Sequence, residues 1–320
     1  MTTTRASSGR TLGVAEVRRA LEGLTVAVPG SSGNLGAGFD ALALAVQLYV
    51  RVTVRRVLDG PRGTVTSTFA DVELDGEDYV ARTMTDLARS QSLDFPSLEL
   101  SISSDIPMQS GLGSSAAATV AGLLLYDRLA GSGPDLLTLG ATIEGHPDNV
   151  AASLLGGLTA ACVRDNGEVV AISTPWPEAV RLVAITPTAR VKTPEARRVL
   201  PSTIGRGDAV FNLQRVALLL QALRTGRLDA IRDALQDRWH QPYRVALVPG
   251  LSEALELEHE DLLGVCLSGS GPTVLALCGG ETAGVERALG SLYERLGIPC
   301  RIRALAAHNG RPGVAGPNAS

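Results

Sequence analysis

Apolar and polar positions alternate along several segments of the chain, whereas in other segments the apolar residues recur every three or four positions. Alternation is typical of strands with one buried face, and the longer period is typical of helices. In the first half, strands are predicted at 24–29, 46–57 and 97–107. Helices are predicted at 77–90, 114–131, 136–145 and 148–157, followed by a hairpin over 158–172 that turns at Asn166 and Gly167.

A second set of strands and helices follows the proline-containing segment 173–179. This interleaving predicts α+β or α/β layered domains, with a boundary near that segment. The predicted strands are 180–187, 263–271, 273–280 and 300–307, and the predicted helices are 207–226, 227–237 and 282–296. The predicted domains are 23–175 and 176–307, with a flexible extension at 1–22, which holds at most one helical turn, and a flexible tail at 308–320.

Charge and residue usage narrow the class of partner. The net charge of −4 gives no electrostatic reason to expect nucleic acid or an anionic membrane, so a small-molecule ligand is expected. Lys192 is the only lysine among 29 basic residues, so a cation that meets a phosphate is expected to be an arginine or a metal. The four cysteines lack zinc or disulfide spacing, and no segment is typical of a secretory leader or membrane span. These features predict a cytoplasmic protein.

The segment "SGLGSSAA" at 110–117 joins glycines and serines to the start of a predicted helix. Gly111 and Gly113 lack side chains where the backbone has to bend towards a ligand, and the N–H groups of a helix N-terminus form an anion site. A Walker loop requires GxxxxGK[ST], and neither that spacing nor its lysine is present. The alternative interpretation is a serine-capped turn between a strand and a helix.

Four segments together resemble the motifs of the GHMP kinase superfamily, whose members phosphorylate small molecules with ATP. Motif 1 (28–46), motif 2 (107–122) and motif 3 (264–277) are similar to it in order and spacing, and "EGHPDNVAASLLGG" at 144–157 is similar to the homoserine kinases within it. The resemblance covers about residues 25–305. It implies two α+β domains, one like the second domain of ribosomal protein S5 and one ferredoxin-like, with the active site between them. The implied activity is ATP-dependent phosphorylation of the side-chain hydroxyl of L-homoserine, a step towards threonine.

The resemblance assigns ATP and Mg²⁺ to motif 2 and its surroundings. Ser115 and Glu144 would hold Mg²⁺, which prefers oxygen ligands; taken alone, they could equally be a helix cap and a solvated charge. Asp78 stands where the family usually has an adenine-contacting asparagine, and because an ionised Asp only accepts hydrogen bonds, the nucleotide preference stays open. The implied nucleotide-binding residues are Pro107, Ser110, Gly111, Leu112, Gly113, Ser114, Ser115 and Asp78.

The resemblance also implies a site for an amino acid, which needs arginines at its carboxylate and acceptors at its ammonium. Arg197 and Arg244 stand at the carboxylate positions, although each taken alone would be a surface residue. His146 is assigned to the substrate pocket and not to a metal cluster, because Gly145 and Pro147 break the ligand spacing. The implied substrate-binding residues are Asn34, Asp40, His146, Asp148, Asn149, Thr193, Arg197, Arg244 and Gly269.

The implied catalytic residues are Asn34, Asn149 and Glu144, without a strong general base. Because Lys192 lies far along the chain from motif 1, a lysine-assisted aspartate base is not expected. Phosphoryl transfer has a loose transition state that needs alignment and charge stabilisation more than proton removal. Two other functions stay open, a kinase for another small hydroxylated metabolite and a non-catalytic ligand sensor, and so does a homodimer.

Overall fold

The computed structural model describes residues 10–70, 76–131, 133 and 135–316. The strands are β1 (Arg10–Thr11), β2 (Thr25–Gly33), β3 (Leu42–Leu58), β4 (Val65–Phe69), β5 (Leu93–Asp94), β6 (Ser97–Ser104), β7 (Leu158–Val163), β8 (Val169–Thr174), β9 (Arg181–Pro187), β10 (Leu262–Leu267), β11 (Val274–Cys278), β12 (Cys300–Leu305) and β13 (Gly313–Ala315). The helices are α1 (Val14–Leu21), α2 (Tyr79–Ser90), α3 (Ser114–Ala130), α4 (Leu136–Glu144), α5 (Asp148–Leu155), α6 (Thr193–Arg198), α7 (Arg206–Thr225), α8 (Ile231–Ala234), α9 (Gln241–Arg244), α10 (Leu251–Leu255) and α11 (Thr282–Arg295). None of these helices combines the length and the apolar character needed to cross a bilayer.

The first sheet has the strand order β13, β2, β3, β6 and β4, and the hairpin of β7 and β8 extends it from the start of β3. Valines of β2 and β3 share one hydrophobic core with α2 and α3. Small residues allow α3 to pack closely: a Cβ atom at Gly122 would lie only 2.8 Å from the Val80 carbonyl oxygen of α2. Helix α3 is therefore held firmly in this layer, and so is its N-terminus.

The second sheet is antiparallel throughout, in the order β10, β11, β9 and β12. Both of its faces are buried. Val183 and Ile185 of β9 face a core that includes α10 and α11, whereas Leu182 and Ala184 face a core that includes α7 and α8. The latter core also contains Leu44 of β3, so continuous apolar packing joins the two sheets and holds the walls of the cleft between them.

The α+β architecture is confirmed, and so is the hairpin at 158–172. The single helix predicted at 227–237 is wrong, because a 3₁₀ turn precedes the four residues of α8. The predicted strand 263–271 stops at Leu267, since Gly269 and Gly271 adopt positive φ in a tight turn. The short helices α6, α9 and α10 were not predicted, because one or two turns show no clear apolar period.

The prediction of flexible ends is wrong for the end residues that the structure describes. Helix α1 buries Val17 and Leu21, which are 1% and 0% exposed, against the core of the first sheet. Strand β13, within the predicted tail, pairs with the edge of β2. Burial of two apolar side chains and pairing of an open sheet edge outweigh the polar composition of these segments. The remaining end residues, 1–9 and 317–320, lie outside the described part.

Replacing Leu21 by Ala is expected to lower the free energy of unfolding by about 2–5 kcal/mol, because the substitution leaves a cavity in a packed core. Urea unfolding followed by circular dichroism measures this change. Arg19→Ala alters an exposed position of the same helix and is expected to change stability by no more than about 0.5 kcal/mol. Equal stability of the two variants would contradict the packing of α1 described above.

Candidate active site

A cavity of about 700 Å³ lies between the two domains. Its lining includes Ser110 and Glu144 from the first half of the chain and Thr193 and Gly269 from the second half. Its size suits a small ligand or a nucleotide with a small second substrate. All the predicted site residues line this cavity except Pro107 and Leu112.

Pro107 and Leu112 do not line the cavity, but their carbonyl oxygens accept hydrogen bonds that hold the glycine loop. The Pro107 carbonyl oxygen accepts a hydrogen bond of 2.7 Å from Ser110 Oγ. The Leu112 side chain is 2% exposed and belongs to the core, and its carbonyl oxygen accepts a 3.0 Å hydrogen bond from the Ser31 N–H. Neither residue lines the cavity, and their role in nucleotide binding stays a prediction.

The two glycines of the loop lie where motifs 1, 2 and 3 meet. Gly111 and Gly113 have φ of 80° and 69°, in the left-handed region. A Cβ atom would lie 2.3 Å from the Ser268 carbonyl oxygen at Gly111, and 2.2 Å from Ser31 Oγ at Gly113. Ser268 Oγ in turn lies 2.8 Å from both the Gly111 carbonyl oxygen and Ser32 Oγ. Only glycine fits at these two positions of the loop.

The N-terminus of α3 opens directly from this loop. Its N-cap is Gly113, which has no side chain to cap the helix, so the serine-cap interpretation is wrong. Within the described part of the chain, the N–H groups of Ser114, Ser115 and Ala116 have no hydrogen-bond acceptor. These groups, together with the partial positive charge of the helix end, can bind an anion, as the sequence predicts.

Glu144 is the last residue of α4 and lies beside the first turns of α3. Its Oε2 accepts a 2.8 Å hydrogen bond from Ser115 Oγ, and its Oε1 accepts a 2.7 Å hydrogen bond from Thr119 Oγ1. Thr119 is fully buried and was not predicted, although it lies four residues after Ser115 on the same helical face. Two hydroxyl groups therefore fix the orientation of this carboxylate.

The donor set around Glu144 fits a hard divalent cation. A carboxylate and a hydroxyl oxygen are the ligand types that Mg²⁺ prefers, and a site with one or two protein ligands leaves room for water and phosphate oxygens. Ser115 donates its proton to Glu144, which leaves the lone pairs of its oxygen available. The pair lies at the start of α3, beside the anion site.

Asp40 and Arg197, which both line the cavity, form an ion pair. Arg197 Nη1 and Nη2 donate to Asp40 Oδ2 and Oδ1 over 2.9 and 2.7 Å, which is a bidentate pair. Burial lowers the pKa of Arg197, but its hydrogen bonds to Asp40 and the charge of Asp40 outweigh burial and raise that pKa overall. The pair joins motif 1 to α6 across the domain boundary.

Asp148 and Asn149 open α5 below motif 1. His146 Nδ1 lies 2.7 Å from Asp148 Oδ1, and Asn149 Nδ2 donates to Asp148 Oδ2 over 3.2 Å. Burial lowers the pKa of His146, but the hydrogen bond to Asp148 and the charges of Asp148 and Asp40 together outweigh burial, so the pKa is raised. Gly33 permits this approach, because a Cβ atom there would lie 2.8 Å from both Asp148 Oδ2 and Asn149 Nδ2.

Asp40, His146 and Asp148 place ligand atoms within 4.8 Å of one another, a cluster that the local spacing of 144–149 does not reveal. The third member comes from motif 1, so the spacing argument against a cluster was incomplete. The guanidinium of Arg197 occupies both oxygens of Asp40, which disfavours a metal cation. Two carboxylates beside one guanidinium suit an ammonium ligand better.

Arg244 is buried and lies close to Arg197. Its guanidinium donates to the carbonyl oxygens of Ala196 and Gly269 over 3.1 and 3.0 Å. Burial and the neighbouring charge of Arg197 lower the pKa of Arg244 to about 10. Both guanidinium groups lie 5.5 Å from the centroid of the Phe39 ring, a residue that the sequence did not single out. Two cations held this close favour a bound anion between them.

Asn34 ties motif 1 to motif 3. Its φ of 74° lies in the left-handed region, and its Nδ2 donates to the Gly269 carbonyl oxygen over 3.0 Å. Its Oδ1 accepts a 3.1 Å hydrogen bond from the Asp40 N–H. Thr193 Oγ1 approaches the same turn, 3.4 Å from Ser270 Oγ. These contacts join the residues predicted to bind the substrate to the turn of motif 3, which itself packs against the glycine loop at Gly111.

Asp78 and Lys192 lie at other parts of the wall. Asp78 is the N-cap of α2, where its Oδ1 accepts a 3.0 Å hydrogen bond from the Ala81 N–H. Lys192 is distant from motif 1 in sequence, but the structure places it on the wall that Asn34 and Asp40 also line, so the expectation that it is remote is wrong. The described contacts give Asp40 an arginine as its cationic partner, not this lysine.

Two family models match the chain: GHMP kinases N terminal domain over residues 78–157 and GHMP kinases C terminal over 219–295. Together with the fold and the anion site, they define a two-domain GHMP kinase. A homoserine kinase from Solibacter usitatus is 43% identical over 256 residues, which are 78% of this chain and 83% of that protein. One from Moorella thermoacetica is 37% identical, over 89% of this chain and 97% of that protein.

A crystal structure of homoserine kinase from Cytophaga hutchinsonii superimposes with a TM-score of 0.77 at 26% identity, covering 92% of this chain and 98% of that one. The chain belongs to the homoserine kinase family of the GHMP kinases. The predicted fold and family are thereby confirmed.

Proposed function

We propose that this protein transfers the γ-phosphoryl group of ATP to the side-chain hydroxyl of L-homoserine and forms O-phospho-L-homoserine, a step towards threonine. The observation that carries the proposal is the Asp40–Arg197 ion pair, which faces the same cavity as the open N-terminus of α3. The names of the relatives support this substrate, and the family supports ATP as the donor.

An amino acid can enter the Asp40–Arg197 pair without changing the net charge of the site. Its carboxylate would take the donors of Arg197 and Arg244, and its ammonium would face Asp40 and Asp148. Mevalonate carries a carboxylate but no ammonium, and galactose carries neither group. Both would leave charged groups of the site unpaired, which disfavours their binding.

The nucleotide would bind at the N-terminus of α3 and the glycine loop before it. The unpaired N–H groups at the start of α3 would bind the phosphates of ATP, and Ser115 with Glu144 would hold Mg²⁺. Mg²⁺, when bound, would neutralise phosphate charge and favour the transfer. Thr119 would keep the Glu144 carboxylate turned towards Ser115.

The reaction would depend on alignment more than on a strong base. Asn34 and Asn149 are neutral and held by hydrogen bonds, to Gly269 and to Ser31 respectively, so they would orient the homoserine hydroxyl. The transition state of phosphoryl transfer is loose: the bond to ADP is largely broken before the hydroxyl loses its proton. A strong base is therefore not required. A cytoplasmic location without a nucleic-acid partner is part of the proposal, supported by the net charge of −4 and the four free cysteines.

The test is an ADP-release assay with Mg²⁺ and ATP over L-homoserine, L-threonine, mevalonate and galactose. L-Homoserine is expected to give a kcat/KM at least about 100-fold above each of the others, because only it satisfies both charged groups and presents a primary hydroxyl. Turnover restricted to mevalonate or galactose would assign another small-molecule kinase. Binding of L-homoserine without ADP release under any condition would assign a ligand sensor.

A further inference from the structure

A buried polar network lies behind Arg244, at the turn that leads into α9. The side chain of Asp237 is fully buried and organises this turn. Its Oδ2 accepts hydrogen bonds of 2.9 and 2.7 Å from the N–H groups of His240 and Gln241, and its Oδ1 accepts one of 2.6 Å from Asn212 Nδ2. These hydrogen bonds to Asp237 therefore fix the backbone that carries His240 and Arg244.

His240 is fully buried and contacts Arg244 on one side and motif 1 on the other. Its Nε2 lies 2.8 Å from the Gly36 carbonyl oxygen, and its Nδ1 lies 3.2 Å from Arg244 Nη1. A carbonyl oxygen only accepts and a guanidinium only donates, so Nε2 has to carry the proton and Nδ1 has to accept. The partners thus select one neutral tautomer of the ring.

The surroundings also favour this neutral form. Burial lowers the pKa of His240, and a proton on Nδ1 would face the guanidinium of Arg244 directly. Asp237 Oδ2 is 3.6 Å from Nε2, beyond hydrogen-bond length, and its lone pairs are already used by two backbone N–H groups. The ring of Phe39 packs against the imidazole, with centroids 5.5 Å apart.

His240 differs from the other acceptors that orient Arg244. The remaining two hydrogen bonds of this guanidinium go to the main-chain oxygens of Ala196 and Gly269. Among the described contacts, His240 is the side-chain acceptor, and it also links Arg244 to the loop that carries Asp40. Because His240 does not line the cavity, a substitution there removes a hydrogen-bond partner of Arg244 without changing a residue of the cavity wall.

We infer that His240 is a positioning residue for substrate recognition: its neutral Nε2–H tautomer holds the Arg244 guanidinium in the orientation that receives the substrate carboxylate. The inference rests on the proposed function, and it assigns a role in carboxylate selectivity to a residue outside the cavity. Arg244 is the group that would touch the substrate, and His240 acts through it.

Two substitutions each keep one of the two hydrogen bonds of the His240 ring and remove the other. In His240→Asn the amide oxygen takes the place of Nδ1 and keeps the acceptor for Arg244, whereas in His240→Gln the amide reaches the place of Nε2 and keeps the donor for Gly36. Each variant loses one buried hydrogen bond, so their losses of thermal stability are expected to be similar. Their effects on the substrate carboxylate are expected to differ.

Steady-state kinetics with L-homoserine and with 3-aminopropan-1-ol, which lacks the carboxylate, provide the readout. His240→Gln is expected to raise the KM for L-homoserine about tenfold or more, to leave the KM for ATP within about twofold, and to lower the preference for L-homoserine over the amino alcohol by a similar factor. His240→Asn is expected to keep that preference within about threefold of the wild-type value.

Equal preferences in the two variants, with wild-type turnover of L-homoserine intact, would overturn the inference alone. No turnover of L-homoserine by the wild type would overturn the proposed function and the inference together. If either variant does not fold, ¹⁵N NMR of the wild type decides: the buried histidine is expected to show a protonated Nε2 and a bare Nδ1 at neutral pH. An Nδ1-protonated ring would overturn the inference.

Discussion

Glu144→Gln is expected to lower kcat by about 1,000-fold, which corresponds to roughly 4 kcal/mol of transition-state stabilisation. The amide removes the negative charge that Mg²⁺ requires. It also places an NH₂ group against Ser115 or Thr119, whose hydroxyls now donate to the two carboxylate oxygens. Titration of activity with Mg²⁺ at saturating ATP measures both kcat and the metal concentration for half-maximal rate, and that concentration is expected to rise.

Asp135→Asn is the matched control, because it removes a carboxylate from the other end of the same helix, outside the cavity. Asp135 caps α4, so this variant is expected to lose up to about 1 kcal/mol of stability and to keep its kcat within about twofold. A Glu144→Gln enzyme with unchanged Mg²⁺ dependence and unchanged kcat would remove Glu144 from the metal site.

Arg197→Met is expected to raise the KM for L-homoserine about 100-fold, with the KM for ATP unchanged within about twofold. The substitution keeps an unbranched apolar side chain in place of the arginine methylene groups but removes both donors that now hold Asp40 over 2.7 and 2.9 Å. The substrate carboxylate loses a bidentate partner, and Asp40 is left without its cation. Initial rates over both substrates measure the two KM values.

Arg198→Met provides the control for Arg197, because the adjacent side chain is exposed and lies outside the cavity. Its KM for L-homoserine is expected to stay at the wild-type value. Arg197 could instead serve only the structure, as the partner of Asp40. In that case Arg197→Met would lower the melting temperature and leave the KM for L-homoserine unchanged, which would contradict its role in binding.

The sequence singled out Ser115 and Glu144 as a pair, but it did not single out the residues that support the site. Ser115 and Glu144 stand in motifs, and the structure joins them by a 2.8 Å hydrogen bond. Thr119 could have been found from its spacing of four from Ser115, but a threonine within a helix usually carries no functional signal. His240 and Phe39 gave no signal, because each contacts a partner far away along the chain, such as Gly36, which is 204 positions from His240.

The ends of the chain also show that local sequence does not reveal contacts with distant segments. Composition predicted loose ends, but α1 and β13 pack because the first sheet offers an apolar face and an unpaired strand edge to them. Neither surface can be read from the end segments themselves. The two predictions failed because burial depends on what the rest of the chain presents.

The sequence by itself determined the chemistry of the glycine loop. Two missing side chains, a missing lysine and a helix start limit that loop to backbone N–H groups, because these properties belong to single residues and their immediate neighbours. Only the tertiary structure decided which charges face one another. Asp40 and Arg197 are 157 residues apart, and their pairing follows from the way the two sheets share one apolar core. Side-chain periodicity specifies which face of an element is buried, but not which distant element covers it.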